Sequence, residues 1–331
     1  MSLEADIRQG ATVMAAFAPM SFAGLASSLA VWLLSGGALA TEGSLRWTPL
    51  GRALSRTASG NVVGTIEPRT EARRTLCLMA HMDSSRSGLL FDPRFVGALG
   101  AWISLQSMAG VAQAAGEPVL GGTARGRAVL LALRVTLLAG LALLVEREAR
   151  GVDVPGANDN ASGCGVVLAL AAELAAKPPA ETRIELLLTG CEEAGTLGAQ
   201  AFLREHDTTG WLFLNFDNVG GPGSVRYLCR EGVLAKWDTD PGLIAVAEQV
   251  ADDEPELRML PTDNPAGLTY DTSPILAAGG RALTLSVQDG SIPNLHWPTD
   301  TLENVSPDGV RRTLDAGRAM IELIDAGGAD V

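Results

Sequence analysis

Three apolar runs, TLCLMAHMD (75–83), TRIELLLTGCEE (182–193) and WLFLNFDN (211–218), constrain the fold of this chain most strongly. Each is a strand-length block of apolar residues that stops abruptly at acids or a histidine. Continuous apolar blocks of this length suit strands buried on both faces. Helical patterns separate or follow them at 165–176, 197–204, 243–250 and 306–324, and shorter strand patterns occur at 61–66, 225–229 and 282–287. Strands and helices alternating in this way build a sheet covered by helices on both faces. The expected fold is α/β, a three-layer α/β/α sandwich with a mixed, mostly parallel central sheet. Ligands of such sheets bind beyond the carboxyl ends of the strands, and His81, Glu192, Glu193 and Asp217 all fall at such ends.

One stretch does not fit the sandwich. Residues 95–116 and 128–145 are apolar runs close to the ~20 residues that cross a bilayer. The second carries a single charge, Arg134, whereas the first contains Ser104, Gln106, Ser107 and Gln113. The expected organisation is a main domain of 1–90 and 152–331, interrupted at 91–151 by an apolar helical hairpin. That hairpin either dips into a membrane or packs on the main domain, and a contact with lipid through 95–145 stays open. Arg86, Arg94, Arg125, Arg127, Arg147 and Arg150 lie on all sides of it, so the positive-inside rule leaves orientation undecided. A hydrophobic content of 47% over 331 residues agrees with apolar surface facing lipid or a partner. Near the start, 11–40 is apolar but follows Glu4, Asp6 and Arg8 rather than a basic segment. A pair of helices packed around Pro19, the second at 23–34, therefore fits better than a cleavable signal peptide. A short strand is expected at 45–50. The net charge of −13, with no Lys/Arg block, argues against nucleic acid as a partner. The four cysteines show no CxxC spacing, and Cys77 and Cys229 lie in strand runs, which fits free buried thiols in a reducing compartment. The expected location is cytoplasmic or at a membrane.

The chemistry concentrates at five places. His81 and Asp83 alternate onto one side of their strand, and a metal-bound histidine commonly donates its second ring N–H to a carboxylate. Asp159 sits in Gly-Ala-Asn-Asp-Asn-Ala-Ser-Gly (156–163) before a helix, where N–H groups favour negative charge. Glu192 and Glu193 are adjacent after a buried strand, where two charges need a partner. Asp217 ends the next strand, and the loop at 291–295 presents His296. Taken singly, these are also a polar strand end, a helix cap and a solvated helix start. Together they supply mixed His, Asp and Glu ligation without thiolate, which suits zinc, cobalt or manganese. His206, the third histidine, lies in a polar turn and reads as surface.

In this order, His-x-Asp after a strand, Asp-Asn-Ala-Ser-Gly at a helix start, Glu-Glu, Asp, and a late His before Thr-Asp-Thr, the chain resembles the two-zinc aminopeptidases of metallopeptidase family twenty-eight, the bacterial leucyl aminopeptidase-like members. The resemblance covers most of the chain outside 91–151. It implies two divalent ions, most simply zinc, with Asp159 shared between them. His81 and Asp217 would complete one ion, and Glu193 and His296 the other. Asp83 would orient His81, Glu192 would be the general base, and Asp271 would stand behind the site. The implied activity is metallo-aminopeptidase hydrolysis of N-terminal peptide bonds, with peptides as substrates. The separation of His81 from Asp159 exceeds the family's usual few tens of residues, and the 91–151 insertion accounts for it. Two other readings stay open: a glutaminyl-cyclase-like single-zinc acyltransferase, and an inactive or binding scaffold of the same fold.

Overall fold

The computed structural model describes residue 45 and residues 58–232, 235–263 and 268–328. The expected helices around Pro19 and at 23–34, and all but the first residue of the expected strand at 45–50, lie outside the described residues. The chain forms two compact units. One comprises 59–85, 153–232 and 236–331, and the described part of the other is mainly 86–152. The boundaries fall after Ser85 and after Val152, where the sequence pattern places them after 90 and 151.

In chain order the elements are β1 (Val62–Ile66), β2 (Arg74–His81), α1 (Leu99–Leu120), α2 (Ala124–Arg150), α3 (Gly163–Ala176), β3 (Thr182–Thr189), α4 (Leu197–Glu205), β4 (Leu212–Phe216), β5 (Val225–Leu228), β6 (Arg230–Glu231), β7 (Trp237–Asp238), α5 (Pro241–Asp253), β8 (Met259–Thr262), α6 (Ser273–Ala277), β9 (Arg281–Val287) and α7 (Pro307–Asp325).

The larger unit is built on a seven-stranded sheet in the order β1-β3-β2-β4-β9-β5-β8. Strands β3, β2, β4 and β9 run parallel, and β1 and β5 join them antiparallel. Alternation along β2 separates the two faces. Leu76, Leu78 and Ala80 pack in one cluster with residues of α3, α5 and α7, whereas Cys77 and Met79 pack in another with residues of α4 and α6. This is the expected three-layer sandwich. The helices begin where local chemistry starts them. Asp240 accepts the Leu243 N–H at 2.9 Å ahead of α5, Ser306 accepts the Gly309 N–H ahead of α7, and a proline follows each cap. Lys177, Pro178 and Pro179 stop α3.

The far end of α7 is tied back to the sheet. The Asp325 carboxylate accepts the N–H groups of Ala180, Glu181 and Thr182 at 2.7–2.9 Å, at the entry to β3. Arg74 donates to the last carbonyls of α7, at Ile324 and Asp325, where a cation complements the helix dipole. All four cysteines are free; Cys77 is buried and Cys164, Cys191 and Cys229 are half-buried.

The excursion from the sheet leaves after Ser85, whose carbonyl accepts the Val154 N–H at 3.0 Å, so the two ends of the large unit meet across the insertion point. The described part of the smaller unit is mainly a helical hairpin of α1 and α2 joined by a tight turn. Thr123 caps α2 by accepting the Gly126 N–H.

Candidate metal centre

The parallel strands deliver the predicted groups to one end of the sheet. His81 is the last residue of β2 and pairs with Thr189, the last of β3. Glu192 and Glu193 follow β3 in a turn, and Asp217 follows β4 directly. Asp159 arrives from a different device. The segment Ala157–Ser162 is a distorted turn with non-helical backbone at Asp159 and Asn160, so Asp159 is not the cap that the sequence pattern allows. Asn160 takes that task, its Oδ1 accepting the Gly163 N–H at 3.1 Å, while its Nδ2 donates to the Phe216 carbonyl at 2.9 Å. Asp159 is thereby released to face the strand ends. The turn is packed so closely on β4 that a Cβ on Gly163 would stand 2.1 Å from the Phe216 carbonyl oxygen. Gly156 precedes it at φ +70°, where glycine has no steric penalty.

Asp159 is the hub. Its Oδ1 lies 3.1 Å from His81 Nε2 and its Oδ2 lies 3.2 Å from His296 Nε2. His81 Nε2 is also 3.6 Å from Asp217 Oδ2, and His296 Nε2 is 3.0 Å from Glu193 Oε1. Two triads result, His81–Asp159–Asp217 and Asp159–Glu193–His296, each with one donor atom per residue within 4.8 Å of the others. All five predicted ligands therefore converge, and Asp159 belongs to both triads.

The surrounding residues fix these donors. His81 Nδ1 lies 3.0 Å from the Asp83 carbonyl. A carbonyl only accepts, so Nδ1 carries the proton and Nε2 is turned toward the carboxylates. The Asp83 side chain stands farther off, 3.7 Å from Nδ1. Its two oxygens instead accept the N–H groups of Glu192 and Glu193, at 3.1 and 3.2 Å. Asp83 thus orients His81 through its main chain and holds the double-glutamate turn through its side chain. Asp271, fully buried beside β3, accepts the Thr189 hydroxyl.

Asp300 is a residue that the sequence pattern did not single out, although it belongs to the Thr-Asp-Thr that follows His296. Only 1% exposed, it accepts the Asn158 N–H at 2.7 Å and the Asp159 N–H at 3.0 Å, one on each carboxylate oxygen, while its carbonyl accepts the Ala157 N–H. It clamps the backbone that carries Asp159. His206 is remote from this chemistry; it is exposed and stacks on Phe202 at 4.1 Å.

The electrostatics are those of a crowded acidic cluster around two imidazoles. Burial opposes charge on His81, yet Asp217, Asp159 and Asp83 outweigh it and lift its pKa well above the usual imidazole range. Burial likewise opposes charge on His296, but Glu193 and Asp159 raise it to about 9. Burial pushes Asp159 upward, and the two histidines more than reverse this and hold it well below the ordinary carboxylate range. Burial drives Glu192 well above that range, opposed by His81 and reinforced by Asp271, Glu193 and Asp217. Burial also lifts Asp271, to about 7, against His81 and the Thr189 hydroxyl. Two imidazole nitrogens aimed at three carboxylates, one of them shared, form a donor set that fits divalent cations, with hard and borderline ligands in each triad.

Comparison with known proteins bears on this geometry. A model of peptidase family M28 matches residues 145–321, more than half of the chain. The alkaline phosphatase isozyme conversion protein of Escherichia coli is 36% identical over 116 residues, which is 28% of this chain and 33% of that protein. Among solved structures, a zinc aminopeptidase from Bacillus subtilis superposes with a TM-score of 0.50 at 17% identity, over 79% of this chain and 48% of its own. The chain thus spans about half the length of that enzyme. A leucine aminopeptidase precursor from Bacteroides thetaiotaomicron and a glutaminyl cyclase from Porphyromonas gingivalis each match with a TM-score of 0.50 at 17% identity, over 79% of this chain and 76% of theirs. At such identity these structures speak to the fold, a zinc-exopeptidase-like α/β sandwich.

Proposed function

This chain belongs to peptidase family M28, and on that premise we propose that it is a metal-dependent exopeptidase, an aminopeptidase that hydrolyses N-terminal peptide bonds. One observation carries the proposal: Asp159 turns one oxygen toward each of two His-and-acid triads. His81 and Asp217 would hold one divalent ion, Glu193 and His296 the other, with Asp159 between them. Zinc suits these nitrogen and oxygen donors. Such ions, when bound, would supply Lewis acidity toward the scissile carbonyl and the attacking water.

The remaining chemistry falls to the protein. Glu192 belongs to neither triad, so its carboxylate stays available as a base. It takes a proton from the water as the oxygen attacks the carbonyl, and returns that proton to the amine as the C–N bond breaks. Burial raises the proton affinity of Glu192, opposed by His81, and the positive charge of bound ions would oppose it further, toward the ionised form that a base requires. Asp83 keeps base and ligand in register by binding both backbone N–H groups, and Asp300 does the same for the bridging residue.

A glutaminyl-cyclase-like reading requires one zinc, whereas the presence of both triads supports two. A binding scaffold would have no need of either. Purified protein should contain about two zinc per chain and release amino acids from aminoacyl chromogenic substrates. Glu192→Gln should lower kcat by ~10²–10⁴-fold with metal content unchanged. Protein that binds no metal and cleaves no such substrate would leave the scaffold reading in place.

A further inference from the structure

None of the donors of the two triads comes from the hairpin of α1 and α2. Helix α2 has 27 residues, about 40 Å at ~1.5 Å per residue. Its apolar part, 128–145, carries one charge, Arg134, and covers about 27 Å, close to the ~30 Å hydrocarbon core of a bilayer. Among the described residues α2 is the single helix long and apolar enough to cross a membrane, and only 11% of its most apolar window is buried inside the protein. Leu131, Val135 and Leu138 of α2 are 61%, 57% and 38% exposed, and Met108, Val111 and Val119 of α1 are 69%, 62% and 76% exposed. With the exposed alanines 128, 132 and 139, these α2 positions form one open apolar arc of about a third of the helix circumference at ~3.6 residues per turn. The cluster that the hairpin buries within itself is small: Ala109, Leu137 and part of Leu133.

The hydroxyls of the hairpin are satisfied within their own helices. The hydroxyls of Ser104, Ser107 and Thr136 each donate to the carbonyl four residues earlier, at 2.8, 2.9 and 3.1 Å. Gln106 donates across the pair to the Thr136 carbonyl at 2.9 Å. It does so at the point where Gly140 lets the helices approach, since a Cβ there would stand 2.5 Å from the Gln106 side-chain oxygen. Internal satisfaction of polar groups and small residues at the crossing are requirements of hydrocarbon, where water cannot complete a hydrogen bond. A partner protein would call for a polar rim around its footprint. Between Ala128 and Val145 the only polar side chains of α2 are Arg134 and Thr136, both half-buried; the other charges collect at the two ends, Arg125 and Arg127 at the turn and Glu146, Arg147, Glu148 and Arg150 at the root.

We propose that this hairpin is embedded in a lipid bilayer, with α2 crossing the hydrocarbon core and α1 packed against α2, so that the chain enters and leaves on one side. The full chain should sediment with membranes, resist an alkaline carbonate wash, and need detergent for extraction. A second measurement places the residues themselves. Leu138→Cys, labelled with an environment-sensitive fluorophore and reconstituted in phosphatidylcholine–phosphatidylglycerol vesicles, should be quenched several-fold more strongly by nitroxide on the lipid acyl chains than by aqueous iodide, after subtraction of label on the native cysteines. Leu131→Lys combined with Val135→Lys and Leu138→Lys should move the chain out of the carbonate-resistant pellet. Full-length protein that stays monodisperse without detergent, as monomer or dimer, would overturn the proposal. Stronger quenching by iodide at position 138 would overturn it as well.

Discussion

Asp300→Asn offers a sharp test of how the metal centre is held, because the substitution keeps shape and removes one acceptor. Each Asp300 oxygen takes one backbone N–H, from Asn158 at 2.7 Å and from Asp159 at 3.0 Å. An amide can accept one of them and must point an NH₂ at the other. The loss is one hydrogen bond to a charged group in a buried place, about 1.5–3 kcal/mol. A domain of this size shifts its Tm by about 2–4 °C per kcal/mol, so unfolding of the metal-free protein should come about 3–12 °C earlier. Relaxation of the Asp159 backbone should also weaken zinc binding by ~10–100-fold, the usual effect of removing a partner that orients a ligand. Competition with a chromophoric chelator measures the affinity, and turnover at saturating zinc should recover much of the wild-type rate. Wild-type zinc affinity in Asp300→Asn would refute the reasoning, whatever happens to Tm.

Asp325→Asn supplies the contrast, since its carboxylate holds three N–H groups remote from the centre; it should cost about 1.5–3 kcal/mol and leave zinc affinity unchanged in the same competition assay. Burial raises the Asp325 pKa, but those bonds outweigh it and leave the pKa below the ordinary value. A depressed folded pKa contributes stability that is full above the unfolded value of ~3.9 and is lost as pH falls through the folded value. The stability gap between wild type and Asp325→Asn should therefore be flat from neutral pH to about 5 and close below about 4, as followed by urea unfolding; a gap that widens on acidification would contradict it. Gly163→Ala must accommodate a Cβ 2.1 Å from the Phe216 oxygen and should destabilise by about 1–3 kcal/mol, with zinc affinity falling because the Asp159 turn is displaced. An unchanged Tm would show that the contact yields easily.

The sandwich and the five converging ligands were legible in the sequence for a physical reason. Buried parallel strands are written as apolar runs, and groups placed immediately after such runs share one edge of the sheet, as His81, Glu193 and Asp217 do. What supports those ligands was less legible, because it depends on backbone atoms that carry no sequence signature. Alternation put Asp83 on the side of His81, but could not show that its carboxylate would prefer the Glu192 and Glu193 N–H groups. The same limit hid the division of labour in Asn-Asp-Asn, where Asn160 caps α3 and sets Asp159 free. Asp300 lay in view within Thr-Asp-Thr, but only the fold brings it 141 residues back to the Asp159 N–H. Glu231 opens an acidic stretch, 231–263, that reads from the sequence as surface, yet it sits fully buried against the hydroxyls of Thr272, Ser273 and Thr284, a partnership that three separate elements assemble.

The central claim is that Asp159 bridges two cations, and anomalous diffraction from zinc-loaded crystals tests it directly. Two peaks about 3.5–4 Å apart are expected on either side of the Asp159 carboxylate, one toward His81 and Asp217, the other toward Glu193 and His296. A single peak on one side only, or zinc bound away from Asp159, would contradict the account.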